Sequence, residues 1–390
     1  ELMAVLRPLQ QKVKDHGLWA AHLSPDLGGQ GFGQVQLALL NEIVGRSRWA
    51  PSVFGSQAPD SGNAEIIALF GTDDQKQRYL QPLLDGEISS CYSMTEPQGG
   101  SDPGLFTTAA VRDGDDWVIN GEKWFSSNAR FASFYIVMAV TNPTARTHQK
   151  MSLFIVPVEA PGIEIIRNVG VGGESSAHAS HGYVRYNDVR VPADHVLGGE
   201  GQAFAIAQTR LGGGRVHHAM RTIALARKAF DMMCERAVSR QTRQGPLGDF
   251  QMTQEKIADS WIQIEQFRLL VLRTAWKIDR YHDYQKVRRD IAAVKVAMPS
   301  VLHDVVQRAM QLHGSLGVSD EMPFIKMMVA AQSLAIADGP TEVHKLTVAR
   351  RTLKEYQPVD TLFPSQHLPT RRAAAQARLA EILEREVAEL

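Results

Sequence analysis

The spacing of apolar residues changes twice along this chain, and this change constrains the fold more than any other feature of the sequence. Up to about residue 86, apolar residues recur every three or four positions, which is typical of helices. From about residue 91 to 197 the period is two, which is typical of strands, and from 201 to about 356 the helical period returns. The sequence therefore predicts a multidomain α+β protein with helical, β and helical blocks in that order.

The predicted blocks are a helical domain over 1–90, a β domain over 91–200, a helical bundle over 201–356, and a linker with a terminal helix over 357–390. The strand-like runs are 117–119, 135–138, 152–156 and 183–186. The helical stripes are Leu37, Leu40, Ile43 and Val44; Ile257, Trp261, Ile264, Phe267 and Val271; and Ile291, Val294, Val301 and Val305. The glycine-rich run 27–33 lacks the spacing of a dinucleotide fingerprint and predicts only a loop between helices.

Charge and cysteine content exclude several classes of function. The 42 basic and 42 acidic residues cancel, so neither nucleic acid nor an anionic membrane is expected as a partner. Cys91 and Cys234 form no C-x-x-C pair, which argues against a disulfide framework and a cysteine metal site. No apolar run reaches the length of a membrane span. We expect a reducing compartment: the cytoplasm if the source is bacterial, the mitochondrial matrix if it is eukaryotic.

The stretch 92–128 has the composition of a cofactor site. Gly99, Gly100 and Ser101 can turn backbone N–H groups toward a phosphate, and Trp124 can lie against an aromatic ring system. An ordinary surface loop beside a core tryptophan would look similar. Asn120-Gly121 between two strand-like runs predicts a hairpin turn. A phosphorylated, ring-bearing cofactor satisfies both halves of the pattern.

The amino-acid sequence of several segments resembles that of the acyl-CoA dehydrogenase family. The matching segments are Met94-Thr-Glu-Pro97 with Gly100-Ser-Asp102, Asn120-Gly-Glu-Lys-Trp124, and Ile336-Ala-Asp-Gly-Pro340. The resemblance extends from the first helices to about Leu353. It implies that the β block is a barrel, that the last block is a four-helix bundle, and that the cofactor is FAD.

The resemblance also implies which residues contact the flavin. Tyr92, Met94 and Thr95 are expected to border the ring, Ser101 to touch a phosphate, and Trp124, Phe125 and Ser126 to cover the ring, with Ser126 near N5. A neighbouring subunit is expected to contribute Arg240, Gln311, Gly314 and Ser315, while Pro340, Thr341 and Glu342 form the last flavin-contacting segment. Shared sites of this kind imply a homodimer or homotetramer.

Asp338 is the predicted catalytic base. Removal of an α-proton from a thioester needs a carboxylate in a dry pocket, and Asp338 follows an apolar helix and precedes Gly339-Pro340. An aspartate at a helix end in solvent remains the alternative. Relatives usually have glutamate here, and some carry the base just before a bundle arginine that corresponds to Arg215; this chain has Gly214 at that place.

The predicted substrate contacts are Ser101, Gly212, Gly213, Gly214, Arg215 and Gly339. His217 and His218 lack a third ligand at metal spacing, so no metal is expected. The predicted reaction is FAD-dependent dehydrogenation of an acyl-CoA to a trans-2-enoyl-CoA, with electrons passed to an electron-transfer flavoprotein. The segments look most like the aspartate-base subgroup whose larger members are fused to a kinase-like domain, which makes long-chain or 4-hydroxyacyl thioesters worth testing.

Two alternatives stay open at this stage: a flavin oxidase of the same fold, such as a nitroalkane or acyl-CoA oxidase, and a non-catalytic acyl-CoA binding protein. The sequence does not order the pocket in space, so acyl length, branching and hydroxylation, dimer or tetramer, the electron acceptor and the role of the tail are left undetermined.

Overall fold

A computed structural model describes residues 2–27 and 29–388. Gly28 of the glycine-rich run and the last two residues of the predicted terminal helix therefore lie outside the described residues. The chain forms two compact units, 1–347 and 348–390. Because residues 1–347 form a single unit, the domain boundaries near 90, 200 and 356 remain predictions.

The first block is helical, as the apolar spacing predicts. Its helices are α1 (Leu2–Asp15), α2 (Gln34–Val44), α3 (Ala50–Val53), α4 (Asp60–Phe70), α5 (Asp73–Gln75) and α6 (Gln81–Asp85), with a π-helical segment, Lys76–Leu80, between the last two. Leu37 and Val44 of the predicted stripe are buried, whereas Ile43 is 72% exposed. A loop follows α1 and includes the described part of the glycine-rich run.

The middle block is a mostly antiparallel β structure. Its strands are β1 (Ser90–Ser93), β2 (Ala109–Asp113), β3 (Asp116–Ser127), β4 (Phe134–Val140), β5 (Met151–Pro157), β6 (Ile163–Val169), β7 (His181–Pro192) and β8 (Val196–Leu197). Strands β1, β3, β2 and β4 pair around a closed circuit. The sheet continues from β3 through β7 to β6 and from β4 through β5 to β8.

The predicted hairpin at Asn120-Gly121 is wrong. Both residues lie inside β3, and the turn between β2 and β3 falls at Gly114 and Asp115. Gly121 has a φ of +144° at a register shift against β7, and the Asn120 side chain exchanges hydrogen bonds of 2.9 Å with Asp188. The Asn-Gly pair therefore forms a β-bulge, because β7 pairs with β3 on both sides of it.

The last block begins with four packed helices, α7 (Ala203–Ser239), α8 (Gln251–Tyr281), α9 (Tyr284–His313) and α10 (Phe324–Ile336). A two-stranded ribbon, β9 (Gln241–Thr242) and β10 (Gly245–Pro246), connects α7 to α8. The predicted stripe of α9 is buried, and that of α8 is buried at Ile264, Phe267 and Val271, whereas Trp261 is 52% exposed. The order of helical, β and helical blocks is thus confirmed.

Two further helices follow, α11 (Thr341–Leu353) and α12 (Leu368–Ala388). The second begins inside the stretch predicted as a linker, and its described side chains are exposed. Among the described residues, no helix is both long and apolar enough to cross a membrane.

Candidate active site

Asp338 lies in the turn between α10 and α11, where its backbone is left-handed. Its φ is +57°, and that of Gly339 is +101°. The backbone carbonyl of Asp338 accepts a hydrogen bond from Arg215 Nε at 2.8 Å and has a second contact with His344 Nε2 at 3.3 Å. A non-glycine residue with positive φ is uncommon, and such strain concentrates at functional sites. The turn therefore fixes the main chain of Asp338 and leaves its carboxylate to face α7.

Three glycines in the interior of α7 make space for this carboxylate and its surroundings. A Cβ atom on Gly214 would lie 3.5 Å from Asp338 Oδ2, and one on Gly213 would lie 3.2 Å from Glu65 Oε2. Gly212 is packed near the Tyr284 ring. Because each glycine costs a helix about 1 kcal/mol relative to alanine, a run of three in its interior needs a packing reason. The predicted residues Asp338, Gly339, the three glycines and Arg215 are thus brought to one place.

Nitrogen-bearing side chains surround Asp338, and the sequence analysis missed the most buried one. Lys295 of α9 is 1% exposed, and its Nζ donates to the Leu334 carbonyl. Burial lowers the pKa of Lys295 to about 8, although Asp338 acts in the opposite direction. His218 Nε2 lies 3.7 Å from Asp338 Oδ2, and burial lowers the pKa of His218 to about 4. A lone lysine in an apolar stripe, Val294-Lys-Val296, was the available signal.

Two further carboxylates lie on α4, which packs against α7, and the sequence analysis missed both. Burial raises the pKa of Asp60 to about 6 and that of Glu65 to about 7. Arg210 lies near both groups and acts in the opposite direction, while its Nε donates to Asn63 Oδ1 at 2.9 Å. Carboxyl groups with raised pKa values in a pocket are candidate proton acceptors, so Glu65 is a rival to Asp338 as base.

The predicted flavin-contacting residues of β1 and of the segment just after it lie beside this cluster. The Arg210 guanidinium is 3.8 Å from the centroid of the Tyr92 ring, and burial raises the pKa of Tyr92 to about 12. The Tyr92 hydroxyl is buried, with no hydrogen-bond partner among the described residues. Met94 and Thr95 are half-buried, and the Thr95 carbonyl accepts from the Trp124 amide at 2.8 Å. This hydrogen bond connects the segment after β1 to β3.

Ser126, which was predicted to cover the flavin ring, points into the β domain in this structure. Ser126 is fully buried, and its hydroxyl shares a 2.8 Å hydrogen bond with Ser93, which also accepts one from Tyr186. Its neighbours face outward: Phe125 is 40% exposed with a φ of +53°, and the Ser127 hydroxyl lies 2.9 Å from His181 Nδ1. Because side chains alternate along a strand, Ser127 carries the outward hydroxyl.

A buried ion pair lies on the inner side of β3, behind the side chains that face outward. Lys123 and Glu96 are 0% and 1% exposed, and their charged atoms are 2.8 Å apart. Glu96 also accepts hydrogen bonds from the Thr107 and Thr108 amides at 2.7 and 3.0 Å, and Lys123 donates to the Met94 carbonyl at 2.8 Å. The pair therefore ties the turn after β1 to β3.

The remaining predicted residues fall into two groups. Pro340, Thr341 and Glu342 follow Asp338 and Gly339 in the chain, and Ser101 is exposed in the turn where Gly100 has a φ of +51°. Arg240 lies at the C-terminal end of α7, about 37 Å along the helix axis from Arg215. The other three are exposed at or just after the end of α9: Gln311, Gly314 and Ser315. This second group is not brought to the Asp338 cluster within one chain.

Comparison with known proteins identifies the family. Three domain families match in chain order: the acyl-CoA dehydrogenase N-terminal domain over residues 3–87, the middle domain over 91–189 and the C-terminal domain over 201–353. FadE2 of Mycobacterium tuberculosis, named as a probable acyl-CoA dehydrogenase, is 42% identical over 90% of this chain and 86% of its own length. Acyl-CoA dehydrogenase family member 11 of Gallus gallus is 42% identical over 89% of this chain, which spans only 45% of that relative.

A solved structure agrees with these matches. A Mycobacterium abscessus protein solved as a candidate acyl-CoA dehydrogenase superposes with a TM-score of 0.86 at 40% identity, covering 90% of this chain and 87% of the other. By sequence, domain order and structure, this chain belongs to the acyl-CoA dehydrogenase family and is an enzyme of that family.

Proposed function

We propose that this enzyme dehydrogenates an acyl-CoA thioester between C2 and C3, giving a trans-2-enoyl-CoA, with Asp338 as the base. The observation that carries the proposal is the position of the Asp338 carboxylate, which faces Gly214 at 3.5 Å from where a Cβ would lie. These are the two chain positions at which relatives carry their base. Asp338 and Gly214 lie next to each other in space. Asp338 would supply the base, and Gly214, which has no side chain, would leave room for the thioester beside it.

The family uses FAD, and the residues of this chain fit that cofactor. The Tyr92 hydroxyl is buried without a partner among the described residues, Phe125 presents an exposed ring, and Ser127 presents a hydroxyl on the same outward face of β3. We propose that Tyr92, Met94, Thr95, Trp124, Phe125 and Ser127 hold the ring, with Ser127 in the role expected of Ser126. When bound, FAD would accept the hydrogen that leaves C3 as hydride.

The proton at C2 is transferred to Asp338. Its side chain is 21% exposed, so a bound thioester would exclude most of the remaining water, which strengthens electrostatic interactions in the site. Because burial lowers the pKa of His218 to about 4, the nearest ring is uncharged at neutral pH. His218 therefore does not compete with the thioester as the proton source for Asp338. Arg215 holds the Asp338 carbonyl, which keeps the carboxylate pointing at α7.

The test is anaerobic titration of the flavin absorbance with a panel of acyl-CoAs, using the parent, Asp338→Asn and Glu65→Gln. We expect the parent and Glu65→Gln to bleach, and Asp338→Asn to bleach at least about a hundred-fold more slowly, which is the usual loss for a general base. Bleaching of Asp338→Asn at the parent rate, with Glu65→Gln inactive, would transfer the role of base to Glu65.

The electron acceptor separates dehydrogenase from oxidase. We propose that the electrons pass to an electron-transfer flavoprotein. A flavin oxidase is the second candidate, because the nitroalkane oxidases that resemble this family also use an aspartate as base. Peroxide released during turnover in air, without an acceptor protein, would favour the oxidase.

The assembly and cellular setting also remain proposals. In a homodimer or homotetramer, Arg240, Gln311, Gly314 and Ser315 would contact the flavin of a neighbouring subunit. The resemblance to the family implies the same arrangement. Membership of the aspartate-base subgroup and a bacterial cytoplasmic or mitochondrial matrix location are proposed on the resemblance alone.

A further inference from the structure

A small polar chamber lies beside α7, on the side of the helix that packs against α2. Its polar lining consists of His22, Asn41, Ser56, His217 and Arg221, and the rest is apolar, including Leu37 and Phe54. The cavity measures about 20 Å³, which is room for one group the size of a water molecule. The dehydrogenation site described above does not use these residues.

The hydrogen-bonding capacity of the chamber is largely unused. Neither ring nitrogen of His22 nor Nε2 of His217 has a hydrogen-bond partner of normal geometry among the described residues. The Ser61 backbone is near enough to His22 to act on its pKa, but burial dominates and lowers that pKa to about 4. The two rings lie 5.9 Å apart, edge to face. Two buried, neutral imidazoles thus have donor and acceptor atoms available.

Arg221 adds a positive charge that is half-buried and strongly desolvated. Burial lowers the pKa of Arg221 to about 10, which leaves it charged at neutral pH. Its hydrogen bonds, to the His217 and Ser56 carbonyls, are both long at 3.4 Å. Within the described part of the chain it forms no ion pair. A desolvated cation without a counter-ion is costly, and an anion placed beside it would offset that cost.

The chamber is aligned with the base along α7. Gly214, His218 and Arg221 follow a spacing of four and three residues, so they share one face of the helix. Gly214 faces Asp338, and Arg221 is seven residues further, about 10 Å along the helix axis. An acyl chain extending from Asp338 to the chamber would therefore have to span about 10 Å along this face.

We propose that this chamber binds an anionic oxygen, a carboxylate, at the far end of the acyl chain whose thioester lies beside Asp338. This inference rests on the proposed function and names a substrate class for it: acyl thioesters that carry a second acidic group. One carboxylate oxygen matches the size of the cavity, and Arg221 with the two imidazoles supplies its donors. The other source of the same chemistry is a free small carboxylate.

The test compares two length series of thioesters, plain acyl-CoAs and the same chains ending in a carboxylate, by calorimetric binding and by flavin bleaching. We expect the full-length parent to prefer the carboxylated series at one chain length. Arg221→Met should reduce the ratio of carboxylated to plain binding by about ten-fold or more, as expected for loss of a hydrogen bond to a charged group. Arg221→Lys, which keeps the charge, should restore part of the preference.

His22→Leu repeats the measurement if Arg221→Met does not fold, as judged by circular dichroism, and it should also reduce the ratio. Absence of any preference in the parent, or an unchanged ratio in the variants, overturns the inference. Succinate that raises the melting temperature of the parent but not of Arg221→Met, without a thioester preference, would assign the chamber to a free anion and overturn the acyl-chain assignment. Binding preference without bleaching would instead contradict the proposed dehydrogenation and leave the chamber assignment standing.

Discussion

Lys123→Met should destabilise the middle β domain strongly, because it leaves Glu96 buried without its cation. Glu96 is 1% exposed and would retain its hydrogen bonds from the Thr107 and Thr108 amides. Removing one partner of a buried ion pair typically costs about 3 to 5 kcal/mol. Burial alone would raise the pKa of Glu96, but the Lys123 charge and the hydrogen bonds lower it from 4.5 to about 2, which corresponds to about 3 kcal/mol.

The assay is thermal unfolding followed by near-ultraviolet circular dichroism, together with flavin content after purification. At about 2 °C per kcal/mol for a chain of this size, the melting temperature should fall by roughly 6 °C. The matched control is Arg190→Met, which removes two exposed ion pairs, with Asp113 and Asp116, in the same domain and should leave the melting temperature nearly unchanged. An equal melting temperature in Lys123→Met and the parent would refute the reasoning.

The same pair predicts a pH dependence. Because the folded-state pKa of Glu96 is lowered, its contribution to stability is fully present above pH 4.5 and is lost as the pH falls toward about 2. The double variant Glu96→Gln with Lys123→Met should recover part of the stability lost by Lys123→Met and should show a shallower fall of melting temperature across this window. Identical acid unfolding of parent and double variant would exclude Glu96 as a source of that pH dependence.

Three further predictions concern the site. Asp338→Asn should bind a thioester with little change in affinity while flavin reduction slows about a hundred-fold or more, measured by stopped-flow absorbance; a loss confined to binding would argue against a base. The folded-state pKa of Glu65 is raised from 4.5 to about 7, so stability is lost as the pH rises through that window, and Glu65→Gln should raise the melting temperature above pH 7 with a gain that shrinks toward pH 4.5. A gain independent of pH would contradict the raised pKa. Ser126→Ala should cost about 1 kcal/mol of stability with an unchanged flavin spectrum, whereas Ser127→Ala should alter the spectrum or reduction potential; the reverse pattern would return the flavin contact to Ser126.

Local sequence patterns predicted the elements well but not their irregularities. Lys123 faces inward, so unbroken alternation along β3 would turn Ser126 outward. A register shift between Lys123 and Ser126 reverses this, and Ser126 points into the β core instead. A one-residue slip moves every later side chain to the other face of the strand. Bulges depend on pairing with β7, which is far away in the sequence, so no local pattern could locate them.

The buried charges show the same limit. Lys295 and Glu65 lie on different helices, and the sequence marked each only as a charged residue among apolar ones. Their relation to Asp338 arises because α4, α7, α9 and α10 pack around one place. The three glycines of α7 acquire a role only when Asp338 and Glu65 are seen to approach them.

The sequence by itself determined the order of helical and β blocks and, through short motifs, the family, the expected cofactor and Asp338 as candidate base, because periodicity and turn chemistry are local. Tertiary structure alone decided which hydroxyl of β3 faces outward, that Glu65 is a rival carboxylate, and that His22 and Arg221 enclose a chamber. These properties depend on burial and on approaches between distant segments, since desolvation and charge act through space and not along the chain.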